Sequence, residues 1–315
     1  MTKKNKTVRD ACTSWLKTCE RNDLETATMK AYRSHAHVHI EPRIGHLLLT
    51  DLTRSDVRDF MNDLLDEGVS QAQTRKIMVS LRAALSEAEE REWIDHNVAL
   101  SVKMRRQRKR VEDDKVIPTK EQIRLILDNA PTTHAVMFRT MIFTGLRISE
   151  ARGLPWKHVD LDRKLIEVRQ KADEQCKIGP PKSRAGHRTI PLAPNVVEAL
   201  EAWKSEVPSG DDDLVFPNAS GNPQNYANIY NRIYVPMMRD LELVDGDGKC
   251  LFTIHSLRHA AASLFIEQGW NPKKIQTLLG HANITMTMDC YGHLFEDPEK
   301  DVAMFEKLEQ DFRAA

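Results

Sequence analysis

Apolar positions in the first ninety residues recur every three or four places, the spacing that lines one face of an α-helix. Val8, Ala11, Cys12, Trp15, Leu16 and Cys19 make the first stripe. Met29 and Tyr32 open a second, expected to stop before Pro42, because proline lacks the N–H that a helix interior uses. Val57, Phe60, Met61, Leu64 and Leu65 mark a third over Asp56–Asp66, with Ser55 as its expected N-cap and Gly68 as its close. Ile77, Leu81, Ala84, Leu85 and Ala88 stripe a long helix that ends near Trp93. Four helices with little strand signal predict a small all-α domain.

The second half is mixed. Thr119 and Gln122 have capping-box spacing and predict a helix through Ala130. A further helix over about His134–Phe143 should end at Gly145. Residues 158–170 alternate well enough for two short strands around the Asp162-Arg163 turn, and Arg188–Pro191 adds a third. Pro194–Glu206 returns to helix, residues 208–225 read as loop, and the remainder is mostly helical. The fold class expected is mainly α with a small antiparallel β-sheet.

Composition adds limits. With 41% hydrophobic and 29% charged residues over 315 positions, the chain is globular and long enough for two domains. No apolar run reaches the roughly 20 residues of a membrane span. Five cysteines without a CxxC pair argue against a disulfide framework, so a soluble, cytoplasmic protein is expected. The 46 basic and 46 acidic residues cancel, yet residues 1–110 carry 21 against 16. Lys103–Arg110 packs six cations into eight positions, either a solvated linker or a strap that meets phosphates.

Four segments carry candidate chemistry. In Thr144-Gly-Leu-Arg-Ile-Ser-Glu, Gly145 permits a turn that leaves Arg147 at a helix start, where guanidinium and helix amides both attract an anion. Glu150, one turn on, either orients an active-site group or is a surface acid. In residues 181–192, Lys182, Arg184, His187 and Arg188 look like a basic hairpin presenting Lys182. Four such groups are costly against a core and suit a phosphate-lined groove or an exposed hairpin. His255 and Arg258 share a helix face and can reach one phosphate. His255 and His259 have the i,i+4 spacing of a zinc pair, but Ser256 stands where a metalloprotease has Glu, so His259 is read as a core or hydrogen-bonding histidine and no metal is expected. Finally, Leu278-Leu-Gly-His281 precedes Tyr291 and His293 by a short stretch of chain.

Taken in order, Arg147, Lys182, His255, Arg258, His281 and Tyr291 resemble the six catalytic positions of the tyrosine recombinase (phage integrase) family. The resemblance implies an N-terminal helical core-binding domain over residues 1–102, a basic linker over 103–115 and an α+β catalytic domain over 116–315. With so little chain before Val8, an additional arm-site-binding domain is not expected. Tyr291 would be the nucleophile, forming a 3′-phosphotyrosyl intermediate on double-stranded DNA without metal, cofactor or ATP. The two arginines would hold the phosphate, His255 would assist proton transfer, His281 would donate a hydrogen bond, and Lys182 would protonate the leaving 5′-oxygen. The implied assembly is a homo-tetramer on paired sites, with accessory DNA-bending or directionality proteins as further partners and no membrane. Integration and excision of a mobile element is the expected role; a Xer-type dimer resolvase and a type IB topoisomerase-like relaxer are the alternatives. Beyond Pro298, Val302, Phe305, Leu308 and Phe312 stripe a tail helix that either folds back or docks on a neighbour.

Overall fold

The computed structural model describes residues 5–22, 24–104, 116–295 and 298–314. The chain forms two compact units, residues 1–110 and 111–315. Most of the Lys103–Arg110 run falls outside the described residues.

The first unit is helical. Helix α1 (Val8–Arg21) starts at Thr7, whose side chain and that of Asp10 cap each other's backbone N–H groups. Its expected apolar stripe is buried throughout. Helix α2 (Thr26–Ser34) does not stop before Pro42. It continues through a π-type stretch (His35–Ile40) into α3 (Glu41–Ile44), with Pro42 in the first turn of that last piece. Proline is tolerated in that first turn, and Arg43 Nη1 donates to the carbonyls of Val38 at 3.3 Å and His39 at 2.9 Å, beside the N–H that proline lacks. Helix α4 (Arg54–Asp66) is capped by Thr53 with Asp56, two residues before the expected Ser55. Helix α5 (Gln71–Glu90) runs through the centre of this unit and packs along α1.

The second unit opens with α6 (Lys120–Asn129), whose Thr119–Gln122 capping box is present, and α7 (Thr132–Thr144), whose C-terminal half is largely buried, against α6 and α9 (Pro194–Lys204). Short α8 (Ile148–Arg152) follows the Gly145 turn. Strands β1 (Val159–Asp160), β2 (Leu165–Val168) and β5 (Arg188–Pro191) form one antiparallel sheet in the order β1-β2-β5. Strands β3 (Lys171–Ala172) and β4 (Ile178–Gly179) pair separately. The expected basic hairpin is therefore not one: β4 and β5 belong to different sheets, and Lys182 lies in the irregular segment between them. Helix α10 (Tyr226–Asn228) runs through a second π-type stretch (Ile229–Tyr234) into α11 (Val235–Asp240). Helices α12 (Ser256–Glu267), α13 (Pro272–Leu279) and α14 (Ile284–Tyr291) then fold together, with α12 also against α7. Helix α15 (Pro298–Ala314) ends the described chain. Among the described residues no helix is long and apolar enough to cross a membrane.

Candidate active site

Two glycine turns frame the site. Gly145 ends α7 at φ +69°, and a Cβ there would come within 2.5 Å of Leu279. Gly280 ends α13 at φ +65°, and a Cβ there would meet the Ala185 carbonyl at 2.8 Å and the Arg188 side chain at 3.1 Å. Both left-handed conformations and both close approaches favour glycine. The turns therefore bring together TGLR, LLGH and the segment that carries Lys182.

Arg258 ties the turns to each other. Its side chain, 2% exposed, donates from Nη1 to the Gly145 carbonyl and from Nη2 to the Leu279 carbonyl, each at 2.5 Å. Burial, with Arg147 and Arg188 nearby, lowers its pKa to about 9, which leaves it cationic at neutral pH. Arg147 caps α8. It donates from its backbone N to Glu150 Oε2 at 2.9 Å, from Nη1 to Glu150 Oε1 at 2.8 Å, and from Nη2 to the Gly280 carbonyl at 3.4 Å. Its partial exposure keeps it available to an incoming anion.

Glu150 is a buried acid that holds Arg147 and Arg188, not a surface one. It is 4% exposed. Burial alone would raise its pKa, but hydrogen bonding and charge from Arg188, with Arg147 beside it, outweigh this and bring it down to about 2. Arg188 corrects the basic-groove expectation. The guanidinium is buried and holds both Glu150 oxygens, at 3.1 and 2.8 Å, while Nε donates to the Leu278 carbonyl at 2.6 Å and Nη1 to the Gly186 carbonyl at 3.1 Å. Strand register explains this: Arg188 and Ile190 pair with Val168 and Ile166, on the buried face of the sheet. Lys182, Arg184 and His187 are exposed.

His281 is buried, with Nδ1 2.9 Å from Thr287 Oγ1. Burial, followed by Arg258, Arg147 and Arg188, pushes its pKa down to about 3, so the ring is neutral at working pH. Tyr291, the last residue of α14, is 1% exposed and lies nearly parallel to His281, at 8° and 6.5 Å between centroids. Burial raises its pKa to about 12 even though Arg258 and Arg147 pull the other way. Its hydroxyl sits 2.6 Å from His259 Nδ1. His255, exposed at the N-cap of α12, meets the His259 ring edge-on at 5.0 Å.

The structure thus gathers Arg147, Arg258, His281 and Tyr291 around the two turns, with His255 one ring away through His259. Lys182 is exposed on the segment whose Ala185 and Gly186 carbonyls abut Gly280 and Arg188. His259 lies outside the set that motif order assigns to the site, and Arg188 is buried where an exposed basic position is expected. For Arg188 the signal was available, because strand alternation puts it on the same face as Ile190. For His259 the i,i+4 spacing to His255 was visible, but nothing in the sequence aimed it at Tyr291.

Residues 117–297 match the phage integrase family and residues 7–65 match the phage integrase N-terminal SAM-like domain. This chain belongs to the phage integrase family. The transposase of transposon Tn916 from Enterococcus faecalis is 29% identical over 231 residues, 66% of this chain and 56% of that protein. This chain therefore spans little more than half the length of that relative. The ICEBs1 integrase of Bacillus subtilis (strain 168) is 25% identical over 269 residues, 80% of this chain and 70% of its own length. The fold matches the integrase of the Tn1549 transposon, solved in complex with transposon right end DNA, at a TM-score of 0.78 and 23% identity, over 96% of this chain and 99% of that one.

Proposed function

We propose that this chain is a site-specific DNA recombinase that integrates and excises a mobile element. The observation that carries the reading is the burial of Tyr291 within the influence of two fixed cations, Arg258 and Arg147, with the neutral His281 ring parallel to it. Transesterification at phosphorus concentrates negative charge on the nonbridging oxygens, and a guanidinium meets it with paired donors at any working pH. Here Arg147 and Arg258 hold the scissile phosphate of double-stranded DNA, and neutral His281 donates a hydrogen bond. Tyr291 attacks and forms the 3′-phosphotyrosyl adduct, and Lys182 protonates the departing 5′-oxygen. The 5′-hydroxyl of a second strand reverses the step. The phosphodiester energy stays in the adduct, so no ATP is consumed, and guanidinium charge does what a metal ion does elsewhere. Expected working surroundings are the cytoplasm and its DNA, with accessory DNA-bending or directionality proteins as further partners.

Helix α15 favours assembly over a monomeric relaxer. Val302, Phe305, Leu308 and Phe312 are 60–83% exposed. Burying such side chains contributes about 1.5–3 kcal/mol each, so the stripe is best accounted for as an arm that a second copy covers, closing a tetramer on paired sites. The test is a supercoiled plasmid bearing two copies of the element's junction, in EDTA. Deletion or inversion products are expected. Relaxation alone would support a topoisomerase, and cleavage that Mg²⁺ must restore would contradict the metal-free scheme. Truncation after Pro298 should leave single-site binding intact and abolish pairing; unimpaired pairing would remove the tail from the assembly.

A further inference from the structure

Attack by tyrosine needs a destination for its proton. Tyr291 is almost fully buried at the end of α14, and burial keeps it a phenol well above neutral pH. Pre-ionisation therefore does not supply the nucleophile, and the proton must leave as the oxygen–phosphorus bond forms. The ring nitrogen at hydrogen-bonding distance from that oxygen is Nδ1 of His259, at 2.6 Å.

We infer that His259 is the proton acceptor for Tyr291. This rests on Tyr291 being the nucleophile, and it gives the role to the residue four places after His255. As the Oη–P bond forms, the Oη–H bond breaks and the proton passes to Nδ1 of His259. At the same centre the P–O5′ bond breaks, and the departing oxygen takes a proton from Lys182. In the rejoining step the incoming 5′-hydroxyl returns its proton to Lys182, and the imidazolium of His259 gives its proton back to the tyrosine oxygen.

The geometry supports transfer as well as placement. His255, His259 and Tyr291 form a row of rings from the exposed end of α12 to the buried hydroxyl, with centroids 5.0 and 5.6 Å apart. The charged and titratable groups around the pair are Arg258 and His255 on α12, Arg147 at the start of α8, His281 before α14, and Cys290 on α14 itself. Arg258 and Arg147 stabilise the anion that develops on the tyrosine oxygen. Neither takes a proton from it, since each is already fully protonated.

The experiment measures single-turnover adduct formation on a nicked duplex that carries the junction recovered from DNA covalently bound to the wild-type chain. Three proteins are compared: wild type, His259→Asn and His259→Ala. Asparagine places a hydrogen-bond acceptor near the Nδ1 position but takes no proton. Each is also prepared with 3,5-difluorotyrosine at position 291, a more acidic phenol. Both variants should lose about 100-fold in rate, the scale of a lost general base, while DNA affinity holds within about twofold. Fluorination should restore the variants by a factor about tenfold larger than it changes wild type. Near wild-type cleavage by His259→Asn would reduce His259 to a hydrogen-bonding support. An equal fluorination factor in all three would overturn the inference, as would the same pattern appearing in His255→Asn instead. Tyr291→Phe separates the two levels: an adduct in that variant would end the nucleophile reading itself.

Discussion

The two units handle buried polar groups differently. In the helical unit, Glu87 is buried on α5 and accepts from Thr18 at 2.8 Å, Ser14 at 3.2 Å and Arg91 at 2.6 Å. His35 meets Ser80 at 2.8 Å. These are mainly neutral partners joining α1 and the π-type stretch to α5, and they act as structural ties. The second unit also buries neutral polar groups such as Thr140 and Gln276, but it crowds charged ones together: Glu150, Arg188 and Arg258, with His259, His281 and Tyr291 in contact with them or with one another. A cluster with an excess of cations is expensive to desolvate, and on the proposed reading an incoming phosphate supplies the missing negative charge. The contrast separates a tie from a site.

Breaking the Arg188–Glu150 pair should produce the largest effect of this kind. Arg188→Met leaves Glu150 with Arg147 alone, and losing one partner of a buried ion pair costs about 3–5 kcal/mol, read from urea unfolding. Adding Glu150→Gln removes the stranded carboxylate and should recover part of that loss. Additive losses would instead mean that the two side chains act independently.

Acid sharpens the contrast next. His281 has a pKa near 3 in the folded chain, against 6.5 in an unfolded one. Above pH 6.5 neither state holds the proton. Below it the unfolded state gains one that the folded state refuses, so stability falls as pH drops towards 3, by about 2 kcal/mol at pH 5. Glu150 adds a second window: its pair is intact above pH 4.5 and is lost as pH falls towards 2. His281→Asn should flatten the loss between pH 6.5 and 4.5 in urea titrations, and an unchanged slope would place that titration elsewhere.

The smallest change is expected in the other unit. Glu87→Ala strands the Ser14 and Thr18 hydroxyls, which are only part-buried, and should cost about 1 kcal/mol, with cleavage per bound molecule unaltered. A cleavage defect at equal occupancy would make Glu87 more than a tie.

Much of this architecture was legible from periodicity. The α1 stripe, the Thr119 capping box, the Gly145 turn and the β1–β2 turn all follow from local rules. Local rules failed where a distant or unusual partner decided the outcome. The helix continues through Pro42 by way of a π-type stretch, with Arg43 donating to the Val38 and His39 carbonyls. Lys182 is not on a hairpin because β5 pairs with β2, from before the basic segment. In the site, motif order gave the candidate residues, and strand alternation would have put Arg188 inside. The contact between His259 and Tyr291 joins α12 to α14 across 32 positions and was not readable from spacing.

On the proposed function, Tyr291 becomes covalently attached to DNA. The most direct test is mass spectrometry of peptides from the chain trapped on a nicked duplex carrying its own junction, with Tyr291→Phe alongside. A nucleotide adduct is expected on the peptide containing Tyr291, linked through a 3′-phosphate, with no denaturant-resistant complex in the variant. An adduct on another residue, or a complex that persists in Tyr291→Phe, would contradict it.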